Sequence, residues 1–103
     1  MKIAFPAIGR SIAPQLEETS MFYLYEIDAC YVLNETAFFP THSDLAQELK
    51  DRGVDLVICR KLRSRTSFSL RHKRIEVVPG AEGLVKDVLI RYLSGESVGI
   101  EEN

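Results

Sequence analysis

The sequence predicts an α/β domain, a layered sandwich on a five-stranded mixed sheet, with elements in the order β-β-β-α-β-α-β-α. Three observations carry this. Residues 54–59 (Val-Asp-Leu-Val-Ile-Cys) form a short apolar run with almost no polar alternation, the mark of a strand buried on both faces. Residues 21–37 hold two strand-like runs, the first rich in aromatic residues, on either side of Asp28-Ala29, and these read as an antiparallel hairpin. Leu84, Val85, Val88, Leu89, Tyr92 and Leu93 recur at helical spacing ahead of Gly95. Helices interleaved with strands in this way pack on the faces of one sheet.

Taken in order, residues 2–6 (Lys-Ile-Ala-Phe-Pro) are short, apolar and closed by proline, as suits a central strand. Residues 7–20 contain Gly9, Pro14 and scattered polar groups and read as a loop. Met21–Ile27 is the second strand and Cys30–Ala37 its return, with Pro40 blocking further pairing. Ser43 suits the N-cap of a helix running to about Arg52, with Leu45, Ala46 and Leu49 on one face and Gly53 as its stop. The strand Val54–Cys59 follows. Leu62–His72 is ambiguous, since Phe68 and Leu70 alternate with serines as in a strand. Two neighbouring parallel strands need a crossover, however, and we assign a short helix. Ile75–Val78 is the last strand. Residues 97–103 read as an acidic flexible tail, which leaves residues 1–96 as one domain.

A chain of 103 residues suits a single core, and 46% hydrophobic content is ordinary for a soluble protein. No apolar run approaches the ~20 residues of a bilayer span. Pro6 and Gly9 interrupt the N-terminus too early for a signal peptide, so a cytoplasmic location is expected. Cys30 and Cys59 are too few for a disulfide framework or a self-sufficient structural zinc site. Cys30 reads as a small buried hydrophobe; Cys59 stands equally as that or as a ligand.

Charge is the most informative property. Between Arg60 and Arg74 lie seven of the chain's 13 Lys and Arg, together with His72, and none of its 15 acids. Segregation of this kind speaks of partners rather than of fold. Five of the seven are Arg, the residue for paired contacts with phosphate. A phosphate-bearing ligand or an acidic protein partner is therefore expected on the basic segment 60–74. Nucleic acid is disfavoured, because the chain is net −2 and Phe68 is the sole interleaved aromatic. The plain alternative is a solvated helix face whose charges meet Glu17 and Glu18. Phe38, Phe39 and Tyr31 read as core packing or as a surface for homo-oligomer formation.

The order and local sequences resemble the dinitrogenase iron-molybdenum cofactor biosynthesis family, whose fold is ribonuclease H-like. The matching pieces are Met1-Lys-Ile-Ala-Phe-Pro6, Phe22-Tyr-Leu-Tyr-Glu-Ile-Asp28, Asn34 followed by His42, and Leu45-Ala46. Gly53-Val-Asp-Leu-Val-Ile-Cys59, Ile75-Glu-Val-Val78, Gly80-Ala-Glu-Gly83 and Tyr92-Leu-Ser-Gly-Glu96 complete them. The chain departs from the family pattern twice. Gln15-Leu-Glu-Glu18 stands where relatives carry a ligand His, and Arg60-Lys-Leu-Arg63 stands in place of a glycine-rich turn.

The resemblance implies a three-layer sandwich and a non-catalytic carrier of an iron-molybdenum cofactor or iron-sulfur cluster. Loops at the carboxyl ends of parallel strands converge on one edge, so the turns after Pro6, Cys59 and Val78 are expected to surround a cleft. Cys59 and His42 are the candidate metal ligands there, with Arg60, Lys61, Arg63 and Arg65 offsetting the cluster's charge. A nuclease is not expected. Two-metal hydrolysis needs clustered carboxylates, whereas the first strand has none and the fourth has only Asp55 near its start. No nucleophile elbow or phosphate-binding glycine loop is present either.

Overall fold

A computed structural model describes residues 1–41 and 43–99. The strands are β1 (Lys2–Ile8), β2 (Ser11–Ile12), β3 (Met21–Asp28), β4 (Tyr31–Phe38), β5 (Leu56–Ile58) and β6 (Glu76–Val78). The helices are α1 (Leu45–Asp51), α2 (Ser64–His72) and α3 (Val85–Leu93), with a short 3-10 turn at Leu16–Glu18. Strand order is β4-β3-β1-β5-β6, antiparallel on the β4 side of β1 and parallel on the other, and β2 pairs with the end of β1.

The mixed α/β sandwich is as expected. The sheet gains a sixth strand, β2, because β1 does not stop at Pro6. Main-chain bonds between Met1 and Ile27 fix which β1 residues face β3, namely the odd-numbered ones. Pro6 therefore turns its nitrogen towards the β5 side, where β5 pairs only with Ile3 and Ala4. Its missing N–H costs no ladder bond, and its carbonyl accepts from Ala13 N at 2.9 Å. Gly9, at φ +60°, then makes the tight turn into β2.

The sheet separates two apolar layers. On one face α3 sends Val85, Val88 and Leu89 onto Ile3, Phe5, Tyr25, Leu56 and Ile58. On the other, Leu49 of α1 and Leu70 of α2 pack with Ala4, Phe22, Phe38, Val57 and Val77. Phe38 is core, stacked on Phe22 with ring centroids 5.4 Å apart, whereas Phe39 and Tyr31 are exposed. β4 from Tyr31 to Ala37 is exposed on both faces. Cys30, expected in the core, lies exposed in the hairpin turn beside Ala29 at φ 54°.

The helix ends refine the expectation. Asp44, not Ser43, caps α1, its carboxylate accepting from Gln47 N at 3.1 Å. Buried Glu48 accepts from Thr41 N and pairs with Arg52, whose guanidinium lies 3.8 Å from the centre of the Phe38 ring. α2 is the crossover helix: Leu70 is fully buried while Phe68 is 72% exposed. At the tail, Val98 packs against the α3-side core; residues 100–103 of the segment 97–103 lie outside the described ones. Among the described residues no helix is long and apolar enough to cross a membrane.

Candidate functional site

The three turns at the carboxyl edge of the sheet meet, as expected, but they meet through main-chain hydrogen bonds. Cys59 N donates to Val78 O at 3.0 Å, Gly80 N to Arg60 O at 2.8 Å and Ala81 N to Cys59 O at 3.0 Å. Leu16 N donates to Lys61 O, and Ile12 N to Gly83 O, both at 2.9 Å. The expected cleft between these turns is filled by their own backbone. Cys59 is 0% exposed, within the apolar layer that contains Ala4, Leu16 and Val57. A thiol there is presented to the core and not to the edge.

The open space lies to one side. A groove of about 570 Å³ runs between the Leu16–Thr19 segment, the start of α1 and the first turns of α2. Arg63 and Arg65 line it, with the acids Glu17 and Asp44 and with Ser43, Thr66 and Ser69. Two of the four predicted cations are thus brought together here. Arg60 stands apart, its Nε 3.4 Å from Glu82 Oε2 on the surface. Lys61 is exposed and contributes its carbonyl to the edge network. His42 lies outside the described residues; its neighbour Ser43 is in the groove wall.

Glu17 is the residue the sequence undervalued. It was legible as a counter-charge to the basic segment, but it does not meet a guanidinium there. Its Oε2 accepts from the main-chain N of Arg63, the N-cap of α2, at 2.8 Å, and its Oε1 accepts from Gln15 Nε2 at 2.7 Å. α2 has no side-chain cap of its own, so a carboxylate from the 3-10 turn serves the positive end of its dipole. Burial pushes the Glu17 pKa up, but hydrogen bonds from Thr66, from the Arg63 and Glu17 main-chain N–H groups and from Gln15 outweigh it. The net direction is down from the usual 4.5.

Among the described residues no three His, Cys, Asp or Glu side chains come together as a metal site. The groove brings hydroxyl, carboxylate and guanidinium groups together, with no thiol among the described lining residues. Nor do carboxylates gather on the central strands. Asp55 Oδ2 accepts from Lys2 N at 2.8 Å and is thereby occupied in joining β5 to β1.

Fold and groove together define a small mixed α/β domain with a recess beside the crossover helix, where two arginines meet two acidic residues. The chain belongs to the dinitrogenase iron-molybdenum cofactor family, whose pattern matches residues 1–95. The crystal structure of PH0822 is similar in fold, with TM-score 0.89 and 22% identity, over 93% of each chain. So is a Methanocaldococcus jannaschii protein named for dinitrogenase, with TM-score 0.82 and 22% identity, over 100% of this chain and 97% of that one. The apo orange protein from Desulfovibrio gigas matches with TM-score 0.76 and 18% identity, over 92% and 88% of the two chains. No curated protein matches the chain.

Proposed function

We propose that this chain is a non-catalytic binding module that holds an oxyanion-bearing ligand in the groove beside α2. One observation supports this above the rest: the N–H at the head of α2 already holds a carboxylate, with Arg63 and Arg65 alongside. A position that draws a carboxyl below its usual pKa is one where negative charge is stabilised. Guanidinium groups make paired contacts with tetrahedral oxyanions, and the hydroxyls of Ser43, Thr66 and Ser69 offer further donors. Each charge-assisted bond contributes roughly 1.5–3 kcal/mol, so loss of both arginines weakens binding at least ~10-fold. Calorimetric titration with inorganic phosphate, molybdate and a nucleoside triphosphate, at low and high salt, tests this. Binding that weakens in Arg63→Ala/Arg65→Ala supports the reading, and absence of binding by all three probes sinks it.

Family membership favours a second cargo, an anionic iron-sulfur or iron-molybdenum cluster or its precursor. With Cys59 sealed, contacts from Arg60, Lys61, Arg63 and Arg65 would carry most of the attraction, and His42 would be the remaining ligand. Anaerobic reconstitution followed by absorbance and metal analysis separates the two cargoes. Cluster absorbance that His42→Ala removes supports this one, and absorbance lost in Cys59→Ser would return the thiol to the ligand set.

A further inference from the structure

α3 covers one face of the sheet with Val85, Val88 and Leu89, yet its outer side is not polar throughout. Ile90 is 62% exposed, and Leu84, the N-cap residue, is 49% exposed. Asp87 and Arg91, both exposed, stand beside them on the same side of the helix, about one turn apart. Gly83, Leu84, Asp87, Ile90 and Arg91 together line a shallow recess of about 350 Å³. Apolar side chains grouped at a recess, with charges at its rim, have the anatomy of an association surface.

We infer that α3 pairs antiparallel with α3 of a second copy of this chain, about a two-fold axis level with Leu89. The order of charges selects this partner. Asp87 precedes Arg91, so antiparallel pairing about that axis sets Asp87 of each copy opposite Arg91 of the other, twice over. A parallel arrangement would instead set Asp87 against Asp87 and Arg91 against Arg91. Ile90, one residue from the axis, enters the recess of the other copy, as the ridges of one helix enter the grooves of another. A nine-residue helix offers a small interface, and the dimer is accordingly weak. α1 and α2 pack on the opposite face of the sheet, so each copy keeps the groove beside α2 clear. The pairing therefore does not depend on what that groove binds.

The test is sedimentation velocity of the full chain over a range of about 10 μM to 1 mM, in which wild type should pass from monomer to dimer with a Kd of roughly 100 μM. Ile90→Ser should weaken the dimer about tenfold. Asp87→Arg and Arg91→Asp should each weaken it about tenfold or more, because like charges then face each other twice. An equimolar mixture of these two variants should regain roughly the wild-type affinity, since one copy then presents two cations and the other two acids. Mixing would not cure a folding defect in either variant, so recovery reports the contact itself. A wild type still monomeric at about 1 mM, dimerisation unchanged in both charge variants, a mixture no tighter than its components, or a dimer lost in Tyr31→Ser on β4 would each overturn the inference.

Discussion

Glu17→Gln keeps the shape of the side chain that caps α2 and removes its charge. Oε2 accepts from Arg63 N at 2.8 Å, so what is lost is the ionic part of a hydrogen bond to a helix N-terminus. That part is about 0.5–1 kcal/mol at a half-exposed site. For a domain of about 100 residues, this lowers Tm by roughly 2–8 °C. The pH dependence carries the sharper signature. The folded pKa of Glu17 lies below its usual 4.5, so its contribution is complete above pH 4.5 and is lost as pH falls through the folded value. Wild type and variant should therefore differ by a constant amount from pH 7 to about pH 5 and converge in acid.

The same substitution acts oppositely on the groove. A like charge ~5 Å from a bound monoanion costs roughly 3 kcal/mol at an effective dielectric of ~20, and screening in an open recess leaves about half. Phosphate or molybdate should bind Glu17→Gln about tenfold more tightly than wild type. Thermal scans across pH, with calorimetry at pH 7, read both effects. A variant as stable as wild type at pH 7, or a stability gap that widens in acid, refutes the assignment of Glu17 as the cap. A stability loss without any gain in oxyanion affinity refutes the groove as the binding place while sparing the cap.

Other expectations follow from burial. A thiol reagent should titrate one group rapidly in the native protein, Cys30, and reach Cys59 only on unfolding; two fast thiols would contradict the sealed position. Leu70→Ala should cost about 2–4 kcal/mol in denaturant unfolding while Phe68→Ala stays within about 0.5 kcal/mol, and similar costs would speak against α2 as drawn. Burial, then the hydrogen bond and charge of Glu35, raise the Tyr25 pKa well above 10.0. That group's contribution is complete below pH 10 and is lost as pH rises above it, because the unfolded chain ionises first. Tyr25→Phe should remove that alkaline slope, and a slope unchanged in the variant would place its origin elsewhere.

Much of the architecture was legible because burial writes itself into residue order. The unbroken apolar run at Leu56–Ile58 marked the strand covered on both faces, and the spacing of Val85, Val88 and Leu89 marked the helix that covers one of them. Leu62–His72 was decided by connectivity, not periodicity: Phe68 and Leu70 suggest alternation, yet one is exposed and the other buried. Where side-chain chemistry is shared, sequence could not choose. Ser43 and Asp44 both make caps, and only the bond to Gln47 N separates them. Pro6 was read as a terminator because its neighbours were unknown; a strand ending alongside it removes the penalty. The site was legible as charge but not as place. Which cations share a recess depends on the turn of α2, and the depth of Cys59 depends on how tightly the adjoining turns close over it.

That closure ties together two stretches far apart in the chain. Leu16 N–H bonds to the Lys61 carbonyl, and Glu17 to the Arg63 N–H, so Gln15–Glu18 and Arg60–Arg63 lie against each other as a matched pair. The acid of one stretch and a main-chain N–H group of the other thus form a single unit. Replacing either half alone strands an uncompensated group on its neighbour, so a graft at this edge must change both.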